Sequence, residues 1–170
     1  MLWRVYNVGQ PKIPAGCVEI FMQPGEIYFG GGNIRLTTLL GSCVSVSCWH
    51  PKHKVGGLTH FLLPQSTTVD GACHAGRYAD HALQQLLAEI SSRGLSRQQF
   101  EFKLFGGACS LPLINQTERI GTQNIMAARQ LLAQHQIDLM AEHTGGHGYR
   151  NLKFDLWNGQ IWLKYVEIAQ

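Results

Sequence analysis

Three residues have the types needed for nucleophilic chemistry on a carbonyl carbon: Cys43, His60 and Thr37. A thiol attacks as its thiolate, and an unperturbed cysteine (pKa ~8.5) is mostly protonated at neutral pH. It therefore needs a base, and an imidazole can take its proton and later return it to a leaving group. Gly41-Ser42 precedes Cys43. Glycine permits a sharp turn there and leaves backbone N–H groups near Ser42 and Cys43 open to a developing oxyanion. Thr37, six positions before the thiol, can orient the imidazole through its hydroxyl or its carbonyl.

Local sequence sets how these groups could meet. CVSVSCW (43–49) alternates in strand fashion, HPKHK (50–54) is a polar turn, and VGGLTHFLLP (55–64) resumes an apolar run. The pattern predicts a hairpin from Cys43 to Leu63. A loop over His50 to His53 places His60 opposite Cys43 or one step off, at Cβ separations of ~4.5–5.5 Å for a facing pair. A one-residue slip would put the two on opposite faces. Taken singly, each residue has a plainer reading, since free cysteines are often buried and threonine favours strands.

Metal binding is the competing chemistry. Cys48, His50, His53, Cys73 and His74 offer nitrogen and sulfur, but without paired CxxC spacings. His143 and His147 have the HxxxH spacing, yet they flank Thr144-Gly145-Gly146, a poor helix. The expectation is no metal. GGGN (30–33) lacks the spacing of a phosphate loop and reads as a turn.

The remaining elements follow from periodicity. Residues 1–33 hold Pro11, Pro14 and Pro24 and read as an irregular segment packed on a domain over 34–170, apart from a short strand at Glu26 to Phe29. Ile34 to Leu39 reads as a buried strand. RYADHALQQLLAEISSRG is a helix stopping at Gly94, Phe100 to Phe105 a strand, NIMAARQLLAQH a helix and IDLMAEH a strand. NLKFDLW and QIWLKYV flank Asn158-Gly159, the favoured pair for a two-residue type I′ turn, which would set Leu156 against Ile161 and Phe154 against Leu163. The class is α+β, a single domain with mixed sheets and two main helices.

The chain has 170 residues, 45% hydrophobic and 15% charged, with a formal net charge of +3. This excludes a disordered chain and gives no argument for nucleic acid. No apolar run approaches the ~18 residues of a membrane span, and the N-terminus lacks a signal-peptide pattern. Five irregularly spaced cysteines do not form a disulfide framework, so reduced thiols and a cytoplasmic location are expected.

TTLLGSCVSV, GGLTHFLLP, RYADHAL, FGGACS, IGTQN and HTGG, in this order, resemble the chemoreceptor glutamine deamidases, the CheD family. The resemblance implies hydrolysis of particular glutamine side chains of methyl-accepting chemotaxis receptors to glutamate, with methyl-ester hydrolysis in some members. It places the family's Cys, His and Thr on Cys43, His60 and Thr37. It also implies a layered α/β/β fold similar to the cytotoxic necrotizing factor toxins, no cofactor, and a CheC-type phosphatase as partner in some bacteria. His143 replaces an expected Asp, Gln123 an expected Arg, and the glycine of HGYR (147–150) is shifted. A differently targeted cysteine amidase, or a non-catalytic module that binds receptors or a CheC-type partner, remains open.

Overall fold

Strand-period alternation dominates the fold because most apolar residues must face one of two cores. The computed structural model describes residues 4–5, 12–66, 76–109 and 115–168. In chain order the strands are β1 (Arg4–Val5), β2 (Val18–Phe21), β3 (Ile27–Gly31), β4 (Ile34–Leu40), β5 (Val44–His50), β6 (Val55–Thr59), β7 (Glu101–Gly106), β8 (Leu139–Thr144), β9 (Gly148–Asp155) and β10 (Gln160–Glu167). The helices are α1 (Ala79–Ser92) and α2 (Asn115–Gln134). One sheet runs β1-β10-β9-β4-β2, the other β3-β6-β5-β7-β8. Each is mixed, with one parallel pair: β2 with β4, and β7 with β8.

Alternation along β5 shows how the layers stack. Val44, Val46 and Cys48 join Ala82, Leu83, Leu86, Ala128 and Leu132 in a core beneath the helices. From the opposite face, Cys43 and Trp49 pack against Leu36, Leu40, Leu152, Phe154 and Leu163 between the sheets. The order is helices, second sheet, first sheet, as the α+β reading anticipates. Among the described residues no helix is long and apolar enough to cross a membrane.

Two expectations are corrected. The N-terminal segment, expected to be irregular apart from a strand at Glu26 to Phe29, supplies β1 and β2 as well as that strand, β3. Pro14 and Pro24 lie outside these strands, and β2 pairs in parallel with β4, with Val18 opposite Ile34 and Phe21 opposite Thr37. The C-terminal hairpin is shifted by two residues from the expected register: Phe154 faces Ile161 and Leu152 faces Leu163. The reason is Leu156, which leaves the ladder. Its N–H donates to Ile34 O (3.0 Å), and its carbonyl accepts from Trp49 Nε1 (3.2 Å). Gly159 closes the longer turn at φ +75°, where any Cβ would lie 2.3 Å from the Trp49 ring. A two-residue shift keeps every side chain on its face, so the apolar pattern could not detect it.

Candidate active site

Cys43 lies where the chain passes from one sheet to the other. β4 ends at Leu40, Gly41-Ser42 makes the crossing, and β5 begins at Val44. Two contacts from beyond β7 hold the crossing: Gly107 N–H donates to Cys43 O and Ala108 N–H to Gly41 O, each at 2.8 Å. The approach is close enough to require glycine. A Cβ on Gly106, at φ +110°, would sit 2.2 Å from Cys43 O. From α2, Asn124 Nδ2 donates to Ser42 O (3.0 Å) and Leu62 O (2.8 Å). Among the described residues the N–H groups of Ser42 and Cys43 donate to no other residue; that of Cys43 faces its own sulfur.

His60 follows the last residue of β6. Its backbone is tied to the segment before β3, with Gly25 N–H donating to His60 O (2.6 Å) and His60 N–H to Glu26 O (3.0 Å). The ring reaches across to the first sheet. His60 Nδ1 is 2.8 Å from Thr38 Oγ1 and 3.4 Å from Met22 O, while Thr38 Oγ1 is 2.9 Å from Met22 O. Only one proton assignment satisfies all three atoms. A carbonyl cannot donate, so the threonine hydroxyl gives its proton to Met22 O and accepts from Nδ1–H. The ring is therefore the Nδ1–H tautomer, and Nε2 keeps a free lone pair. His60 is only 2% exposed, and among the described residues Nε2 has no hydrogen-bond partner.

The structure alters the expected geometry in two ways. Val44 and Phe61 exchange backbone hydrogen bonds of 3.0 Å. Leu62 is therefore the residue opposite Cys43, and Ser45 the one opposite His60. Cys43 and His60 are diagonal rather than facing neighbours, on the same face. Such diagonals have Cα atoms ~7–8 Å apart and closer Cβ atoms. The loop is Pro51 to Lys54, and the extra offset again preserves the face. The second change concerns the orienting threonine: the contact to His60 is made by Thr38, not Thr37. On β4, Leu36, Thr38 and Leu40 point between the sheets, whereas Thr37 points outward with Arg35 and Leu39. Thr37 Oγ1 meets only Ile20 O, at 3.5 Å, and its carbonyl accepts from Met22 N–H.

Burial sets the resting protonation. It pushes the half-buried Cys43 thiol above its ordinary pKa, with backbone hydrogen bonding opposing weakly. It holds His60 below the usual imidazole value, against smaller raising effects from the Met22 carbonyl and Glu26. The resting pair is thus a neutral thiol and a neutral imidazole.

The other sequence candidates separate from this site. Cys48 is fully buried, and burial raises its pKa strongly, as expected of an inert core thiol. The His50 ring accepts from the N–H groups of Lys52 and His53 at 3.3 Å and so closes the β5–β6 turn. Cys73 and His74 lie outside the described residues. Among those described, no group of three or more His, Cys, Asp or Glu could hold a metal. At the departing position His143, Nδ1 accepts from Arg150 Nε (2.8 Å). Arg150 Nη2 also holds Gly145 O, and Gly145 N–H returns to Gly106 O (2.9 Å), beside the Cys43 crossing.

Thr38 and Asn124 were missed in the sequence, yet each leaves a signal. Alternation along β4 places Thr38 among the inward leucines, and helical spacing places Asn124 on the stripe of Ile125, Ala128 and Leu132.

A thiol and an imidazole on one inter-sheet face form an arrangement to compare with known proteins. The model of the family described as "CheD chemotactic sensory transduction" matches residues 62–165. The chain belongs to the CheD family. It is 42% identical over 158 residues to a probable chemoreceptor glutamine deamidase CheD 3 of Dechloromonas aromatica, covering 92% of each chain. A probable chemoreceptor glutamine deamidase CheD 1 of Chromobacterium violaceum is 41% identical, covering 94% of this chain and 83% of its own. One from Pseudomonas fluorescens is 38% identical, covering 91% and 88%. The family model begins after His60. The alignments with these CheD relatives leave too few residues at either end to miss Cys43 or His60.

Proposed function

We propose that this CheD chain hydrolyses glutamine side chains of chemoreceptors to glutamate, with Cys43 as nucleophile and His60 as base. The observation that carries this is the buried His60 Nε2, without a hydrogen-bond partner among the described residues and on the same inter-sheet face as the Cys43 thiol. Nε2 takes the thiol proton, and sulfur forms a bond to the carboxamide carbon. Negative charge moves to the amide oxygen, where the open amides of Ser42 and Cys43 are placed to donate. The imidazolium created in this step is held by Nδ1–H donating to Thr38 Oγ1, whose own hydroxyl donates a hydrogen bond to Met22 O. Collapse of the tetrahedral intermediate breaks the C–N bond, and Nε2–H protonates the departing ammonia. Water then gives a proton to Nε2 and its oxygen to the thioester carbon. The S–C bond breaks, and the thiol recovers its proton from His60.

The substrate is a side chain on a protein helix. Replacing a neutral amide with a carboxylate changes the helix charge pattern and hence the signalling bias of the receptor bundle. The relatives' names, which specify chemoreceptor glutamine deamidases, support this substrate class. A cytoplasmic location and a CheC-type phosphatase partner complete the proposal and rest on the family resemblance.

The test is incubation of purified protein with receptor signalling fragments, followed by peptide mapping. Each converted glutamine gains ~1 Da through a thioester that requires the nucleophile. Wild type should produce the shift and Cys43→Ala should not. Full conversion by Cys43→Ala would end the assignment.

A further inference from the structure

We infer that Asn124 is a positioning residue that aims the Cys43 N–H at the reacting amide oxygen. The inference rests on the proposed role of Cys43 and deepens it. Asn124 is fully buried on α2, yet its side-chain amide serves no helix or core contact of its own. Both hydrogen bonds of its Nδ2 group go to the carbonyls that flank the reacting groups: Ser42 O, in the peptide leading into Cys43, and Leu62 O, opposite Cys43.

The location is the point where the β5–β6 hairpin opens. Val44 and Phe61 form its last backbone pair. Beyond them, the N–H groups of Leu62 and Leu63 turn away to Arg77 O. The Asn124 amide spans the opening, so the nucleophile strand and the base strand stay in register where their own ladder ends.

The second consequence comes from peptide planarity. In a trans peptide unit the C=O and N–H groups point in opposite directions. Ser42 and Cys43 are joined by such a unit, since no cis peptide bond occurs. Asn124 draws Ser42 O toward α2, so the Cys43 N–H of the same plane points away from α2. Among the described residues that N–H donates to no other residue, and the one group beside it is the sulfur of Cys43 itself. A free donor on the attacking residue, with its plane fixed from behind, is what an oxyanion site needs.

The cost is visible as well. Asn124 Oδ1 is buried without a partner, because both Nδ2 protons are committed to the two carbonyls. A leucine or alanine on this stripe would avoid that penalty. An asparagine makes sense here for what its Nδ2 group holds.

The experiment compares two reactions of the same thiol. Alkylation of Cys43 by iodoacetamide develops no oxyanion, whereas deamidation does. In Asn124→Ala, kcat for receptor-fragment deamidation should fall about 100- to 1,000-fold, the usual effect of losing one oxyanion donor. KM and the Cys43 alkylation rate, read by peptide mass, should stay within about threefold, because the loss is confined to the transition state. Asn124→Ser, which donates one bond, should be intermediate in kcat and provides the same comparison if the alanine variant does not fold. A kcat near wild type, or alkylation falling in parallel with kcat, would overturn the inference. If alkylating wild-type Cys43 leaves deamidation intact, the nucleophile assignment itself fails. Alkylation that abolishes activity, together with unaffected Asn124 variants, removes only the role of Asn124.

Discussion

Thr38→Val and Thr37→Val form a paired test of which strand face carries the orienting threonine. Valine matches threonine in shape, so each change removes a hydroxyl and little else. At position 38 that hydroxyl bridges His60 Nδ1 and Met22 O at 2.8 and 2.9 Å. Without it, Nδ1–H retains only the Met22 carbonyl at 3.4 Å, too long for a strong bond. The loss is greatest when His60 is an imidazolium, because hydrogen bonds to charged groups contribute about 1.5–3 kcal/mol. That corresponds to a roughly 10- to 150-fold drop in kcat, with a smaller change in KM. At position 37 the hydroxyl points outward to Ile20 O at 3.5 Å. Its removal should change kcat by less than about twofold, as for a weak bond outside the site. The assay is ammonia release from a receptor signalling fragment at saturating substrate, with folding checked by circular dichroism. If Thr37→Val lost more activity than Thr38→Val, the hydrogen-bond chain from His60 through Thr38 to Met22 would not be what orients the imidazole.

Burial holds His60 below its ordinary pKa of 6.5, and only the neutral ring can accept the thiol proton. The acid limb of kcat/KM should therefore have its midpoint below 6.5; a midpoint at or above that value would contradict the buried base. The same shift affects stability. Since the folded pKa lies below the unfolded one, the contribution is complete above about pH 6.5 and is lost as pH falls toward the folded pKa. Urea titrations at several pH values would show this as a falling midpoint in that window. Away from the site, Asp155 is wholly buried, accepts from Arg35 Nε (2.6 Å) and Nη2 (3.0 Å), and also accepts from Trp162 Nε1 (3.0 Å). Asp155→Ala strands the buried Arg35 guanidinium and should cost about 3–5 kcal/mol in urea denaturation. A loss under about 1 kcal/mol would show that Arg35 finds water instead.

The sequence by itself determined the pieces whose signal is periodic or local. Alternation along CVSVSCW fixed which side chains of β5 face each core, helical spacing located α1 and most of α2, and the motifs around Cys43 and His60 pointed to the CheD family. Parity also survived: both hairpin registers differed from expectation, yet Cys43 and His60 kept a common face, because burial selects a face and not a partner. Tertiary structure alone decided the rest. Leu156 left its ladder because Ile34 and Trp49, distant in sequence, offered it partners. The residues before Ile34 became strands because β10, β4 and β6 presented open edges to pair with. The choice between two adjacent threonines depended on which sheet lay opposite His60. Asn124 acquired its partners because α2 packs behind an opening in a hairpin more than sixty residues earlier. Such choices depend on hydrogen-bond partners brought together by folding, and pattern along a single chain carries no record of them.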